Sequence, residues 1–337
     1  MSNDPMSNDP MSNEKTTYFI TGGAGFIGSN LADRLLKDGA AVVVYDNFST
    51  GQREFLAEAA GHPAFRLVQG DVLDEVALRS AMQGCDFVFH LAANADIRFG
   101  LDNPRKDLEQ NTLATFNVLE AMRANGIQRI AFASSAAALG EPSVFPTPED
   151  CATPIQTSLY GASKMACEGL VSSYCEGFGF EGYVFRFVSL LGPRYPHGHV
   201  IDFYKALRRD PTVLRVLGDG TQRKSYLHVQ DCVSAMLRVI HLQTALAARH
   251  RVEIYNLGYP EYIEVKSSIQ WICAHLNVQP RLDYAGGERG WVGDNPFVFL
   301  DVSKMQRTGW VPQYTIRESI IATVDWLTAN PWLLARR

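Results

Sequence analysis

A short apolar run, Tyr18-Phe19-Ile20, passes directly into Gly22-Gly23-Ala24-Gly25-Phe26-Ile27-Gly28 and then into a segment with Ile27, Leu31 and Leu35 four residues apart. This succession of strand, glycine turn and helix constrains the fold more than any other feature of the chain. Residues four apart share one face of a helix. The pattern then repeats. Ala41-Val42-Val43-Val44-Tyr45 predicts a second strand ending at Asp46, and Phe65-Arg66-Leu67-Val68 a third before Gly70-Asp71. Phe87-Val88-Phe89-His90, Arg129-Ile130-Ala131-Phe132-Ala133 and Tyr183-Val184-Phe185-Arg186-Phe187 predict the fourth, fifth and sixth. Helical patterns separate them, including roughly 104–125 and 158–178. Alternating strands and helices imply a parallel sheet covered on both faces, and the continuous apolar runs agree. The expected fold is α/β, a Rossmann-type doubly wound parallel sheet.

After residue 187 the alternation loosens, and Gly and Pro crowd Leu191-Gly192-Pro193-Arg194-Tyr195-Pro196-His197-Gly198. This predicts a smaller, irregular C-terminal lobe over the carboxyl ends of the strands, where such sheets bind ligands. The expected organisation is a flexible tail over 1–14, a dinucleotide-binding domain over 15–187, and a lobe over 188–337. The lobe is mainly substrate-binding, with about 228–258 returning to the first domain. A length of 337 residues suits this arrangement, and 46% hydrophobic residues suffice for a full core.

The net charge is -5 with charges scattered, so no basic stripe points to nucleic acid. No apolar stretch approaches the roughly 18 residues of a membrane span. Cys85, Cys151, Cys167, Cys175, Cys232 and Cys273 form no CxxC pair and join no histidine cluster, so no metal site is expected. They read as buried, reduced thiols of a cytoplasmic protein. The N-terminus repeats Met-Ser-Asn-Asp-Pro and is polar, unlike a signal peptide. Met1, Met6 and Met11 are each possible starts.

Gly22, Gly25 and Gly28 let backbone amides approach a pyrophosphate at a helix N-terminus. Asp46 ends the following strand, where a carboxylate accepts hydrogen bonds from both ribose hydroxyls of NAD and repels a 2′-phosphate. NAD is therefore expected over NADP. Asp71 either holds the adenine amino group or caps a helix. Ala92 and Ala93 let the backbone run close beneath the cofactor, and His90 reads as structural.

Tyr160 and Lys164 share one helix face. A phenol has an ordinary pKa of about 10 and is a poor base at neutral pH. A lysine ammonium one turn away is expected to lower it and make a proton-transfer pair. Ser135, at the end of the fifth strand, lies on the rim where Tyr160 is also expected. On an ordinary surface helix the Tyr–Lys spacing carries no chemistry, and the glycine turn and Asp46 give it meaning here.

Taken in order, these runs resemble the extended short-chain dehydrogenase/reductases, in their NAD-dependent sugar-nucleotide epimerase/dehydratase branch, over roughly residues 17–330. The runs that carry the resemblance are Thr21 to Gly28, Asp46-Asn47, Gly70-Asp71, His90 to Ala93, Asn111, Ser134-Ser135, Tyr160 with Lys164, Gly192-Pro193-Arg194, Gly218-Asp219-Gly220 and Gly293-Asp294. Tyr160 to Lys164, Lys224-Ser225-Tyr226 and Arg289 to Asp294 are similar to UDP-glucose 4-epimerase-like proteins. The resemblance implies a base at Tyr160, a pKa-lowering, ribose-holding Lys164 and a sugar-binding Ser135. It implies a cofactor set of Gly22, Gly25, Phe26, Ile27, Gly28, Asp46, Asn47, Asp71, Val72, Leu91, Ala92, Ala93, Asn111, Tyr160 and Lys164. For the substrate, Lys224 and Arg289 are the diphosphate candidates. Arg194 either joins them or makes a structural ion pair. Arg98 either reads an unusual sugar or is solvated.

Two departures bear on the sugar. Leu139 stands where the family's serine loop usually has an aromatic residue, and Ser189 where it often has Asn. Ala136 and Ala137 occupy the positions of the Asp-Glu pair that 4,6-dehydratases of this branch use. The expectation is therefore C4 epimerisation of a nucleotide sugar, UDP-linked by resemblance, through a 4-keto sugar. Dehydratases using other residues and decarboxylases are the alternative, and a non-catalytic NAD- or sugar-binding protein a further one. By resemblance, the helices near 104–125 and 158–178 pair between two subunits, so a homodimer is expected.

Overall fold

The computed structural model describes residues 15–94, 99–152, 155–243, 250–291 and 293–336. The tail over 1–14 and Arg98 lie outside them. Seven parallel strands form the central sheet: β1 (Thr17–Thr21), β2 (Ala41–Asp46), β3 (Phe65–Gln69), β4 (Phe87–His90), β5 (Arg129–Ser135), β6 (Glu181–Phe187) and β7 (Val252–Leu257). Their order is β7-β6-β5-β4-β1-β2-β3. The direction of winding reverses between β1 and β4, which opens a crevice at their carboxyl ends. Thr21 lies beside both Tyr45 and His90, and Ser135 beside Phe187, so the residues that end these strands share one rim.

Successive strand side chains point to opposite faces, and both faces are apolar. Ile20, Val44, Phe89 and Phe185 pack under α1 (Phe26–Lys37) and the later helix Val229–His241. Phe19, Val43, Val88 and Val184 pack under α2 (Glu75–Ala81), α3 (Ala114–Ala124) and α4 (Leu159–Phe178). The return of the chain to the sheet takes a definite form. Val229–His241 lies against α1, and β7 pairs with β6 from Gly182 to Phe187. A third core, built around Phe203, Leu207, Leu214, Val216, Tyr226, Ile269 and Ile320, supports the lobe.

Two helix details were not in the pattern. Before α3 the chain makes one turn over Pro104–Asp107 and a π-helical stretch over Leu108–Leu113. α4 starts because the Ser158 hydroxyl accepts from the Gly161 amide at 3.0 Å, and it stops at Gly179, which is left-handed. Among the described residues no helix is long and apolar enough to cross a membrane, and no cluster of His, Cys, Asp or Glu forms a metal site.

Candidate active site

The carboxyl rim opens into a cavity of about 680 Å³ between the sheet and the lobe. At its floor the glycines have different tasks. Gly22 sits at φ +68°, and a Cβ there would lie 2.7 Å from the Ala92 amide. A Cβ on Gly28 would lie 2.5 Å from the Gly22 carbonyl. Both are demanded by packing alone. Gly25 has ordinary extended geometry, and its Cβ would meet only the Gly22 carbonyl, at 3.1 Å. Its other side opens into the cavity. α1 starts there with no side-chain cap and no acid in its first turn, which suits a bound anion. Gly22, Gly25, Phe26, Ile27 and Gly28 all line this floor.

Asp46 is buried at the rim. Its Oδ2 accepts from the Ala24 amide at 2.9 Å and its Oδ1 from the Phe48 amide at 2.8 Å. Burial raises its pKa and these two bonds oppose the rise. Each oxygen keeps a lone pair for a ligand hydroxyl. The nearby cation Arg53 lies on the Phe48 ring, 4.2 Å from its centre, and bonds Gln69 at 2.5 Å. Asp71 does not cap α2, because Asp74 does, accepting from Ala77. Asp71 instead accepts from Asn47 Nδ2 at 2.9 Å and from the Leu73 amide, which ties together the ends of β2 and β3. Asn47, Val72, Leu91, Ala92 and Ala93 line the cavity. Asn111, inside the π-helical stretch, is buried. It accepts from the Asn94 amide and donates to Ser163 at 2.8 Å, which joins the loop after β4 to α4. His90 is a buried neutral link between Thr21 and Thr115, and burial and then Lys164 lower its pKa to about 3. These residues fit NAD: an uncapped helix start, a gap beside Gly25 and a carboxylate with free lone pairs.

The catalytic candidates do meet. Ser135 and Tyr160 both line the cavity floor, the Ser135 hydroxyl near enough to the phenol to pull its pKa down, and the Ser135 Oγ accepts from the Ala137 amide at 3.1 Å. Close docking allows this: a Cβ on Gly161 would lie 2.4 Å from the Ala137 carbonyl. The expected lowering of the Tyr160 pKa by Lys164 is not what the structure shows. Burial pushes the phenol up to about 12, Ser135 pulls it down, Asp107 and Cys167 raise it, and Lys164 is not among the causes. The Lys164 ammonium donates instead to the Ala133 carbonyl at 2.7 Å and lies 5.8 Å from the centre of the Tyr160 ring. Burial lowers its pKa to about 8, against Cys167, Glu168 and Asp107, which raise it.

The substrate candidates separate. Ser189 is exposed on the cavity wall. Lys224 also lines it, but its ammonium donates to Asp294 Oδ1 at 2.9 Å and to the Asn295 carbonyl. Arg289 is exposed outside the lining, where it pairs with Glu141 and donates to the Asp294 carbonyl at 2.6 Å. It straps the serine loop to the lobe. For Arg194 the structure shows the structural ion pair and not the diphosphate contact. It lies in a separate cleft, in ion pairs with Asp33 at 2.6 Å and Glu58 at 3.5 Å. Leu139, where the family's serine loop usually has an aromatic residue, is buried in the core, while Ala136, Ala137 and Gly140 face the cavity.

Arg215 was missed. It is exposed on the cavity side of the strand Val213–Val216, between buried Leu214 and Val216, and has no ion pair among the described residues. The alternation around it was a readable signal. Glu168 was missed as well, four residues beyond Lys164 on α4. It is buried, accepts from Ser134 Oγ at 2.5 Å, and pairs with Arg186 through both carboxylate oxygens at 2.9 and 2.8 Å.

Comparison with known proteins agrees with this geometry. UDP-glucose 4-epimerase of Corynebacterium glutamicum is 31% identical over 317 residues, covering 90% of this chain and 92% of its own. UDP-glucuronic acid decarboxylase 1 of Arabidopsis thaliana is 30% identical, covering 89% of this chain and 67% of its own. A crystal structure of a UDP-galactose 4-epimerase superposes with a TM-score of 0.83 at 36% identity, covering 94% of this chain and all of that one. The model of the NAD dependent epimerase/dehydratase family matches residues 18–258. Fold, cofactor cradle and sequence thus agree that the chain belongs to the NAD-dependent epimerase/dehydratase family of extended short-chain dehydrogenases/reductases.

Proposed function

We propose that the chain is a nucleotide-sugar 4-epimerase acting on a UDP-hexose or a related sugar. The observation that carries this reading is the hydroxyl pair of Ser135 and Tyr160 at the cavity floor, with only Ala136 and Ala137 following it. Elimination of the C6 hydroxyl needs a second acid and base beside the sugar. Epimerisation needs one reversible proton site at the C4 oxygen. Tyr160 exchanges that proton, and Ser135 holds the same oxygen. Lys164 places a cation below them. NAD, held by Gly25, Asp46 and the 91–93 segment, supplies reversible acceptance of a hydride at C4. The small side chains of Ala136, Ala137, Gly140 and Ser189 leave room for a ketosugar to turn over, and Arg215 on the cavity wall offers the diphosphate or base a cation. The homologous decarboxylases make UDP-uronic acids the competing substrate class.

The test is a panel of UDP-, GDP-, ADP- and CDP-sugars followed by NMR without added NAD. Inversion at C4 supports the reading. Loss of the C6 hydroxyl, release of carbon dioxide from a uronic acid, or accumulation of free NADH would replace it with a dehydratase, a decarboxylase or a dehydrogenase. Tyr160→Phe is expected to lower turnover about 10³-fold with NAD still bound, and unchanged turnover would refute the assignment. The same reading takes the protein to be a cytoplasmic homodimer. Leu108, Leu113 and Phe116 along the 108–124 helical run, with Leu159 and Phe178 on α4, are exposed apolar side chains suited to a two-subunit helical interface.

A further inference from the structure

The last three residues of β5 are each tied to α4. The Ala133 carbonyl accepts from Lys164, the Ser134 hydroxyl donates to Glu168, and the Ser135 hydroxyl sits close enough to Tyr160 to lower its pKa. Positions 160, 164 and 168 form one stripe of the helix. Glu168 is the only one of the three that reaches further into the molecule. Arg186 of β6 grips both its oxygens and donates to the Glu149 carbonyl at 2.8 Å. We infer that Glu168 is a positioning residue: through Ser134 and Arg186 it holds the tip of β5 against the 160–164–168 stripe, and its carboxylate supplies a negative charge next to the Lys164 ammonium.

The inference rests on the catalytic reading of Tyr160, Lys164 and Ser135. The geometry argues for it because, among the described residues, the one side-chain hydrogen bond of Ser135 is the one it accepts from the Ala137 amide. Its neighbour Ser134 is fixed by a buried charged group. The groups facing Lys164 are Glu168 and the Cys167 thiol, which burial keeps neutral, on its own helix and Asp107 on the Pro104–Asp107 turn, while His90 on β4 stays neutral and feels its charge. Loss of Glu168 therefore removes one of the few opposing charges Lys164 has.

The experiment uses full-length protein with 13C-labelled lysine, the Lys164 signal being assigned with Lys164→Met. Glu168→Gln should lower the Lys164 titration midpoint by about one unit, and Ser134→Ala should leave it in place. Ser134→Ala should instead lower kcat about tenfold with KM, NAD binding and the melting temperature near wild type. A Ser134→Ala enzyme with wild-type kcat, or an unmoved Lys164 midpoint in folded Glu168→Gln, overturns the inference. Should Glu168→Gln fail to fold, Ser134→Ala decides alone. A wild-type protein inactive on every nucleotide sugar would sink the catalytic reading, but the lysine titration would still rule on Glu168.

Discussion

Gly25 offers the sharpest separation of binding from folding. Its φ of -81° and ψ of -178° suit alanine without strain. The added methyl would meet only the Gly22 carbonyl, at 3.1 Å, and otherwise project into the cavity. Gly25→Ala should therefore fold, since a slight squeeze is offset by the lower freedom of the unfolded chain, about 0.4–1 kcal/mol. A bound pyrophosphate would lose one or two charge-assisted amide hydrogen bonds, each about 1.5–3 kcal/mol. At about 1.4 kcal/mol per decade, the NAD dissociation constant should rise by roughly one to four orders of magnitude. Gly28→Ala is the contrast. Its Cβ would press within 2.5 Å of the Gly22 carbonyl and 2.6 Å of the Gly23 Cα, so α1 must move. Overpacking of this kind costs about 1–3 kcal/mol, and binding and melting temperature should fall together. Calorimetric titration of cofactor-free protein with NAD, alongside thermal melting, reads both. Gly25→Ala binding NAD within about twofold of wild type would show that the anion does not lie over this turn.

Other outcomes follow from the same geometry. Desolvation holds His90 and His199 at about 3 and His228 at about 4, so below their usual value near 6.5 the unfolded chain takes up protons that the folded one refuses. Stability should fall as pH drops from 6.5 towards 5, by up to about 1.4 kcal/mol per pH unit for each histidine. The urea midpoint measured at pH 7 and pH 5 checks this, and His90→Gln should flatten the slope. Phe116→Arg should yield monomers by light scattering if the exposed apolar helix face is the subunit contact. Arg194→Met should lower stability by about 2 kcal/mol, by breaking the half-buried pair with Asp33, while KM for the sugar nucleotide stays unchanged. A raised KM would return Arg194 to the substrate site.

Six of the seven strands were legible because their runs are largely apolar, and no competing pattern fits Ala41 to Tyr45 or Phe87 to His90, whereas β7, with Glu253 and Asn256 among its apolar residues, was not. The meeting of Ser135 with Tyr160 followed from parallel strands ending on one rim. What the sequence could not carry was burial. Proximity of Lys164 to Tyr160 along the helix suggested electrostatic activation. In three dimensions the ammonium turns to the Ala133 carbonyl, and desolvation dominates both groups. Arg194, Lys224 and Arg289 looked alike as isolated cations. Only the fold shows that Asp33, Asp294 and Glu141, all distant in sequence from the residues they pair with, bind them. That Leu139 turns into the core was not legible, because a loop position does not reveal which side of the backbone faces inward.

The strand order has a consequence for how the chain comes together during synthesis. β6 carries the apolar residues Tyr183, Val184, Phe185 and Phe187, yet its outer neighbour β7 is made only after a further 64 residues, from Val188 to Arg251, have been added. Until then β6 presents an unpaired, hydrophobic border of the kind that recruits other chains. A fragment cut at residue 187 would keep the glycine turn, Asp46, Ser135, Tyr160 and Lys164, and would still be prone to aggregate. The catalytic half is complete in its residues long before it is complete as a surface, and the lobe chain must be traversed before the sheet can close.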